Sequence, residues 1–143
     1  MYDVIIIGGG PGGYPCAVRC AQYGLKTCII EEKELGGICL NKGCIPTKSL
    51  FAMSEELGRS RYGSIKKETS LASGWEGVLK EIKTDVIMRL RTGIGFLLKQ
   101  NGIDFVQGRG TIEGKNIVKV GDKAVEGKNI IVATGGTPCT PAI

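Results

Sequence analysis

The sequence predicts an α/β fold: a parallel sheet, helices and a small antiparallel β-meander. Three observations predict it. A strand pattern at Tyr2–Ile7 runs directly into glycine-rich residues 8–13, followed by a helical pattern and a second apolar strand. A long amphipathic helical pattern occupies the middle of the chain. Short strand patterns separated by glycines fill the remainder. With 143 residues, the chain is long enough for one domain but not for two.

The N-terminal residues carry the pattern of a βαβ unit. The β-branched run Tyr2–Ile7 predicts a buried parallel strand. Residues 14–23 predict a helix that Gly24 is suited to end, and residues 26–30 predict the next strand. Pro15 fits this helix only in its first turn, where a missing N–H costs little.

The middle of the chain is predicted to be helical. A helix begins at Cys44, residues 59–71 form an exposed polar connection, and Ser73 to Glu76 fit a capping box. Residues 79–97 then predict a long amphipathic helix. Its apolar residues recur at steps of three and four: Leu79, Ile82, Val86, Leu90, Ile94 and Leu97.

The C-terminal part is predicted to consist of short strands between glycine-containing turns. The ranges are 104–106, 111–112, Ile117–Val120, 123–125 and 129–133, the last being a buried apolar strand.

Charge and composition exclude some classes of function. The net charge is +5, but the basic residues are scattered and not interleaved with aromatic residues, so nucleic acid is not an expected partner. No run approaches the ~20 apolar residues of a membrane span, so no membrane association is expected. Asp3 and the short apolar run 4–7 do not fit a signal peptide, which favours a cytoplasmic location.

The glycines of residues 8–13 have the spacing of a dinucleotide-binding turn. Gly8 allows the tight turn, Gly10 lets the backbone approach a pyrophosphate, and Gly13 lets helix and strand pack closely. The helix N-terminus attracts phosphate. Glu31 follows at the distance of the acid that binds ribose hydroxyls. The motif alone does not distinguish FAD from NAD.

The stretch GGICLNKGCIPTKS, residues 36–49, places Cys39 and Cys44 in a C-x₄-C spacing. Three interpretations are open: a zinc site, two inert buried thiols, or a redox-active dithiol. Zinc is disfavoured because the spacing is unusual and the chain contains no histidine, so no metal site is expected.

Local chemistry favours the redox dithiol. Gly36, Gly37 and Gly43 give the backbone freedom to bring the two sulfurs within disulfide range. Cys44 would begin a helix, whose N-terminal field stabilises a thiolate, and Lys48 adds positive charge one turn later.

GGICLNKGCIPTKS resembles the active-site segment of the class I pyridine nucleotide–disulfide oxidoreductases. The glycine motif, Glu31 and the terminal IIVATGG are similar to the FAD-binding motifs of that family. The resemblance covers essentially the whole chain. It implies that residues 1–143 are the first segment of a Rossmann-like FAD-binding domain, with the NAD and dimerisation domains of the family absent.

The resemblance also implies roles for individual residues. Cys39 would attack the substrate disulfide, Cys44 would be the thiolate that faces the flavin, and Lys48 would lie near the flavin N5 edge. Gly110 would contact the adenine half through its backbone. Further contacts with FAD are implied for Gly37, Thr134 and Gly135.

Within the family, the sequence looks most similar to members that oxidise dihydrolipoamide and pass electrons through the disulfide and FAD to NAD. The implied partners are the lipoyl domain of a 2-oxoacid dehydrogenase or glycine cleavage complex and a second subunit of a homodimer. Glutathione- or mercuric-reductase-type members and a non-catalytic flavin-binding module are the alternatives. Because the chain lacks the family's acid–base histidine, we do not expect NAD-linked turnover from these 143 residues alone.

Overall fold

The structure, a computed structural model, describes residues 1–62, 74–137 and 139. It divides into two compact units, one formed by Met1–Gly37 with Ile94–Ile143 and the other by Ile38–Gly93. The strands are β1 (Tyr2–Ile7), β2 (Thr27–Glu31), β3 (Asp104–Gln107), β4 (Gly110–Gly114), β5 (Ile117–Val120) and β6 (Lys123–Val132). The helices are α1 (Tyr14–Gln22), α2 (Gly37–Lys42), α3 (Cys44–Tyr62), α4 (Gly74–Glu81) and α5 (Met88–Gln100), with a π-helical segment, Ile82–Ile87, before α5.

The first unit is built on six strands in the order β3-β2-β1-β6-β5-β4. Strand β1 pairs in parallel with β2 and β6, and β2 pairs in parallel with β3. Strands β4, β5 and β6 form an antiparallel meander. This arrangement confirms the predicted fold class of a parallel sheet with helices and a small antiparallel β-meander.

One strand boundary in the prediction is wrong. Residues 123–125 and 129–133 were expected to form two strands, whereas β6 runs unbroken from Lys123 to Val132. Its first part pairs with β5 as far as Glu126, and from Gly127 onward it pairs with β1. A Cβ at Gly127 would lie 2.7 Å from Cγ1 of Ile5, so glycine is required here by packing and does not mark a turn.

The main core of the first unit lies between the parallel strands and the meander. Side chains from β1 and β2 meet side chains from β5 and β6 there, and several of them are fully buried. The cluster comprises Ile5, Ile7, Cys28, Ile30, Val118, Val120 and Val125. Strands β1 and β2 are buried along nearly their whole length, which explains their continuous apolar runs.

Helix α1 agrees with its prediction at both ends. Pro15 occupies the first turn, where no helical hydrogen bond needs its N–H. The helix ends at Gln22, and Gly24 adopts a φ of +78°, a left-handed conformation in which glycine carries no steric penalty. Ala17 is fully buried and fixes the inward face of the helix.

The second unit is helical. Helix α3 begins at Cys44 as predicted but continues to Tyr62, so the polar connection expected from residue 59 does not begin there. The rest of that connection and Ser73 of the capping box lie outside the described residues. No helix in the described ranges is long and apolar enough to cross a membrane.

The long amphipathic helix is interrupted by its π-helical segment, which changes the face that is buried. The predicted stripe included Leu79, Leu90 and Leu97, and these three side chains are 37–45% exposed. Ile82 and Ile94 are buried as predicted. The other buried residues of these helices, Val78, Ile87 and Leu98, were not on the predicted stripe. The step of five from Ile82 to Ile87 matches the i→i+5 winding of a π-helix and explains why Ile87 is buried where Val86 was predicted.

Candidate functional site

The predicted dinucleotide-binding turn lies where the parallel strands end. After β1, the backbone N–H of Gly8 donates to the carbonyl of Ile30 at 2.7 Å. After β6, the N–H of Ala133 donates to the carbonyl of Ile7 at 2.8 Å. The carboxyl ends of β1, β2 and β6 therefore meet beside residues 8–13, at the edge where open α/β sheets bind ligands.

Each glycine of the motif has its own structural reason. Gly8 has a φ of +109°, and a Cβ there would overlap the carbonyl oxygen of Ala133. A Cβ at Gly13 would overlap the carbonyl oxygen of Gly8, which lets α1 approach the end of β1. A Cβ at Gly10 would meet only the Cα of Gly37, at 3.6 Å. Packing thus requires Gly8 and Gly13, whereas the space beside Gly10 is open for a ligand.

Glu31 lies at the end of β2 and binds the glycine-rich turn. Its Oε2 accepts a hydrogen bond from the N–H of Gly9 at 2.6 Å, and its Oε1 accepts one from the N–H of Lys33 at 2.7 Å. Its carbonyl accepts a bond from the N–H of Gly108 at 2.8 Å. A carboxylate oxygen accepts more than one hydrogen bond, so both oxygens retain capacity for ribose hydroxyls. Sequence reasoning predicted the position of Glu31 but missed its bond to Gly9.

The other predicted cofactor contacts of this unit surround the same edge. Gly37 has a φ of +59°, and a Cβ there would lie 2.8 Å from the Cα of Gly10. Gly110 packs against the side chains of Ile7 and Ile30, the last apolar residues of β1 and β2. Thr134 and Gly135 follow β6 after one intervening residue, Ala133, and are exposed.

These residues fit a dinucleotide. Helix α1 begins directly after the motif and presents the positive end of its dipole. Gly10 offers a backbone surface without a side chain. The carboxylate of Glu31, at the end of the neighbouring strand β2, is hydrogen-bonded to the adjacent residue Gly9. The roles assigned to single residues toward FAD stay predictions.

The second unit carries the predicted thiols. Cys39 lies in α2, which was not predicted, and Cys44 is the first residue of α3. The two form a disulfide with a Cα–Cα distance of 4.7 Å. Lys48 follows Cys44 by four residues in α3, so both lie on one helix face, and its side chain is exposed.

Sequence reasoning missed a contact between α5 and the C-terminal end of α2, within the segment that joins these cysteines. Asn41 lies between Cys39 and Cys44, and its Oδ1 accepts hydrogen bonds from both Nε and Nη2 of Arg91. Fifty residues separate the two partners, so no local pattern could have identified the contact.

The remaining cysteines are free thiols. Cys28 is fully buried between sheet and meander, where burial foremost, and then the charge of Asp104, raise the pKa of its thiol to about 11. Cys16 and Cys20 share one face of α1 and are half-buried. Burial, and next the neighbouring Cys16, raise the pKa of Cys20. Cys139 is exposed.

The parallel sheet with its glycine-rich turn and the Cys39–Cys44 disulfide define a class of protein: an α/β protein with a dinucleotide-binding turn and a C-x₄-C disulfide. The family profile described as "Pyridine nucleotide-disulphide oxidoreductase" matches residues 2–143. The chain belongs to this family.

Two curated proteins with similar sequences have the same name. A dihydrolipoyl dehydrogenase of Acholeplasma laidlawii is 39% identical over 99% of this chain and 43% of its own length. A dihydrolipoyl dehydrogenase of Rhizobium etli is 39% identical over 96% of this chain and 33% of its own length. This chain therefore spans less than half the length of these relatives.

A solved structure shows a similar fold. The HOCl-induced flavoprotein disulfide reductase RclA from Escherichia coli matches with a TM-score of 0.79 and 27% identity. The match covers 99% of this chain and 30% of that one.

Proposed function

We propose that this chain is the FAD-binding, disulfide-bearing part of a flavoenzyme of the dihydrolipoamide dehydrogenase type. The observation that carries the proposal is the Cys39–Cys44 disulfide at the start of α3, in a chain that also holds a dinucleotide-binding turn. Relatives 37–39% identical and named dihydrolipoyl dehydrogenase support the substrate. Since the chain spans at most 43% of these relatives, NAD-linked activity is proposed for the whole protein.

The residues of the first unit would hold the cofactor. Gly10 and the N-terminus of α1 would bind the pyrophosphate, and Glu31 would accept hydrogen bonds from a ribose. When bound, FAD supplies the chemistry that takes two electrons from the dithiol and delivers them to NAD⁺.

The second unit would carry out thiol–disulfide exchange. A thiolate of dihydrolipoamide attacks Sγ of Cys39, the Cys39–Cys44 bond breaks, and Sγ of Cys44 leaves with the electron pair. The second substrate thiolate then attacks the substrate sulfur of the mixed disulfide and releases Cys39. Lipoamide leaves with its own disulfide, and the cysteine pair has gained two electrons.

Helix α3 supports this assignment of leaving group. Cys44 is its first residue, so the partial positive charge of the helix N-terminus stabilises a thiolate there. Lys48 adds a full positive charge one turn along the same face. Both effects make Cys44 the better leaving group, and attack is then directed to Cys39.

The proposal includes two macromolecular partners. A lipoyl domain of a 2-oxoacid dehydrogenase or glycine cleavage complex would deliver the dihydrolipoamide, and a second copy of the protein would complete a homodimer. The RclA match favours an alternative, in which the same exchange acts on a different disulfide substrate. Comparing dihydrolipoamide with reduced glutathione as the electron donor distinguishes the two.

The test is a visible absorption spectrum combined with a thiol count. The 143-residue chain is purified with added FAD and titrated anaerobically with dihydrolipoamide. We expect flavin absorbance at ~450 nm and a long-wavelength band from a thiolate beside the flavin. After dihydrolipoamide has been removed, the protein should show two additional titratable thiols. Cys139→Ser, which alters an exposed free thiol, is the matched control and should behave like the parent.

Cys44→Ser decides between the proposal and a non-catalytic flavin-binding module. The variant should bind flavin but show neither the additional thiols nor the long-wavelength band. If Cys44→Ser and the parent respond alike, the cysteines take no part in electron transfer. A chain that stays colourless with added FAD would overturn the cofactor assignment for these 143 residues.

A further inference from the structure

We propose that Arg91 is a positioning residue for the Cys39–Cys44 pair and acts through Asn41. The inference rests on the redox role proposed above for this disulfide. It concerns only the second unit, which contains all four residues.

The contact joins α5 to the C-terminal end of α2, within the segment that the disulfide closes. Nε of Arg91 lies 3.2 Å and Nη2 lies 2.6 Å from Oδ1 of Asn41. Asn41 follows Cys39 by two residues and precedes Cys44 by three. Arg91 therefore binds the short segment whose conformation sets the distance between the two sulfurs.

The geometry suits a positioning contact. The two N–H groups of the guanidinium belong to one rigid plane, so two donors on one acceptor fix both direction and distance. One partner is charged, which makes the hydrogen bonds stronger than those between neutral groups. Both side chains are half-buried, so water competes less than at an exposed pair.

The contact matters most when the disulfide is reduced. Reduction removes the bond between the sulfurs of Cys39 and Cys44, and the conformation of the residues between them then sets how close the two thiols stay. A contact that favours the closed loop also favours disulfide formation, because the two events are thermodynamically coupled and the coupling is reciprocal. Loss of the Arg91 side chain should therefore make the disulfide easier to reduce.

A purely electrostatic effect predicts the opposite direction. A guanidinium charge near the cysteines would stabilise the thiolates of the reduced form. Its removal would then make the disulfide harder to reduce. The sign of the shift consequently distinguishes positioning from charge.

The experiment measures the equilibrium of the 143-residue chain with glutathione at pH 7. In this reaction glutathione disulfide oxidises the two thiols to the Cys39–Cys44 disulfide and yields two molecules of reduced glutathione. The oxidised fraction is read by acid quench, alkylation and mass spectrometry. We expect the equilibrium constant to fall roughly fivefold to tenfold in Arg91→Met and Asn41→Ala. The double variant should fall no further than either single variant.

Arg89→Met is the matched control, because Arg89 lies in the same helix, is exposed and should leave the equilibrium unchanged. Equal constants for Arg91→Met and Arg89→Met would overturn the inference, as would a rise in Arg91→Met. If Arg91→Met does not fold, Arg91→Lys decides. It keeps the charge but loses the two-donor plane, so a parent-like constant would contradict positioning.

The two proposals fail differently. If the parent disulfide does not exchange with glutathione at all, the proposed function is wrong, and this inference is wrong with it. If the parent exchanges but the Arg91 and Asn41 variants match Arg89→Met, only the inference is wrong.

Discussion

The N–H of Gly9 donates to Oε2 of Glu31 at 2.6 Å, so the acid at the end of β2 is bonded to the glycine-rich turn that follows β1. Gly9 is buried, and its donor has little access to water. Glu31 therefore stabilises the glycine-rich turn, in addition to the ribose binding proposed for it.

Glu31→Ala should lower stability even without flavin. It leaves the buried N–H of Gly9 without its acceptor, which costs about 1–3 kcal/mol. Urea unfolding of flavin-free protein measures this loss, and flavin titration measures the ribose contribution separately. The neighbouring exposed acid supplies the control, Glu32→Ala, which should change neither quantity. Unchanged stability in Glu31→Ala would show that the bond to Gly9 contributes nothing.

Alanine at Gly13 and at Gly10 should have different consequences. Gly13→Ala forces a Cβ into the carbonyl oxygen of Gly8, so we expect the free energy of unfolding to fall by about 1–3 kcal/mol or more. Gly10→Ala places its Cβ 3.6 Å from the nearest atom, so the fold should be kept. Its methyl group would fill the space proposed for the pyrophosphate, and flavin affinity should fall about tenfold or more.

Thermal unfolding and flavin titration of the two variants check this contrast. Gly95→Ala is the control, since a Cβ there meets nothing within 4 Å in α5. Helix propensity alone should make that variant slightly more stable, by about 0.5–1 kcal/mol. Full flavin affinity in Gly10→Ala would contradict the binding geometry.

The sequence predicted much of the fold because local patterns carry it. The continuous apolar runs of β1 and β2 and the glycine that ends α1 depend on neighbouring residues alone. The strand boundary near Gly127 was predicted wrongly because glycine is needed there for packing. The side chain of Ile5, on another strand, leaves no room for a Cβ. The hydrogen bonds between Arg91 and Asn41 could not be predicted either, because contacts between distant residues leave no periodic pattern in the sequence.

The π-helical segment changes part of the predicted buried stripe, and this change can be tested. Ile87 is 6% exposed, whereas Leu90, predicted on the buried stripe, is 42% exposed. Ile87→Ala should cost about 2–5 kcal/mol, as buried large-to-small changes do. Leu90→Ala removes the same number of carbon atoms and should cost about 0.5 kcal/mol or less, like other surface substitutions. Urea unfolding of the 143-residue chain compares them, and equal losses would contradict the burial of Ile87 and the exposure of Leu90.

Cys28 should make the protein less stable at alkaline pH. Burial, with a smaller effect of Asp104, raises the pKa of its thiol from 9.0 to about 11 in the folded chain. Between these values the unfolded thiol is ionised while the folded one keeps its proton, so the folded state binds more protons. Stability therefore falls as the pH rises through this window and is unaffected by Cys28 below it.

The measurement is the free energy of unfolding at pH 8, 9 and 10 in a Cys39→Ser, Cys44→Ser background, which prevents thiol–disulfide exchange. Adding Cys28→Ala lowers overall stability by creating a cavity, but it should reduce the downward slope between pH 9 and 10. The raised pKa of Cys20 leaves a remaining slope of the same sign. Tyr2→Phe is the control, because burial foremost raises the pKa of Tyr2 from 10.0 to about 12 and its effect begins at higher pH. If the slope persists unchanged in Cys28→Ala, another group must titrate in that window.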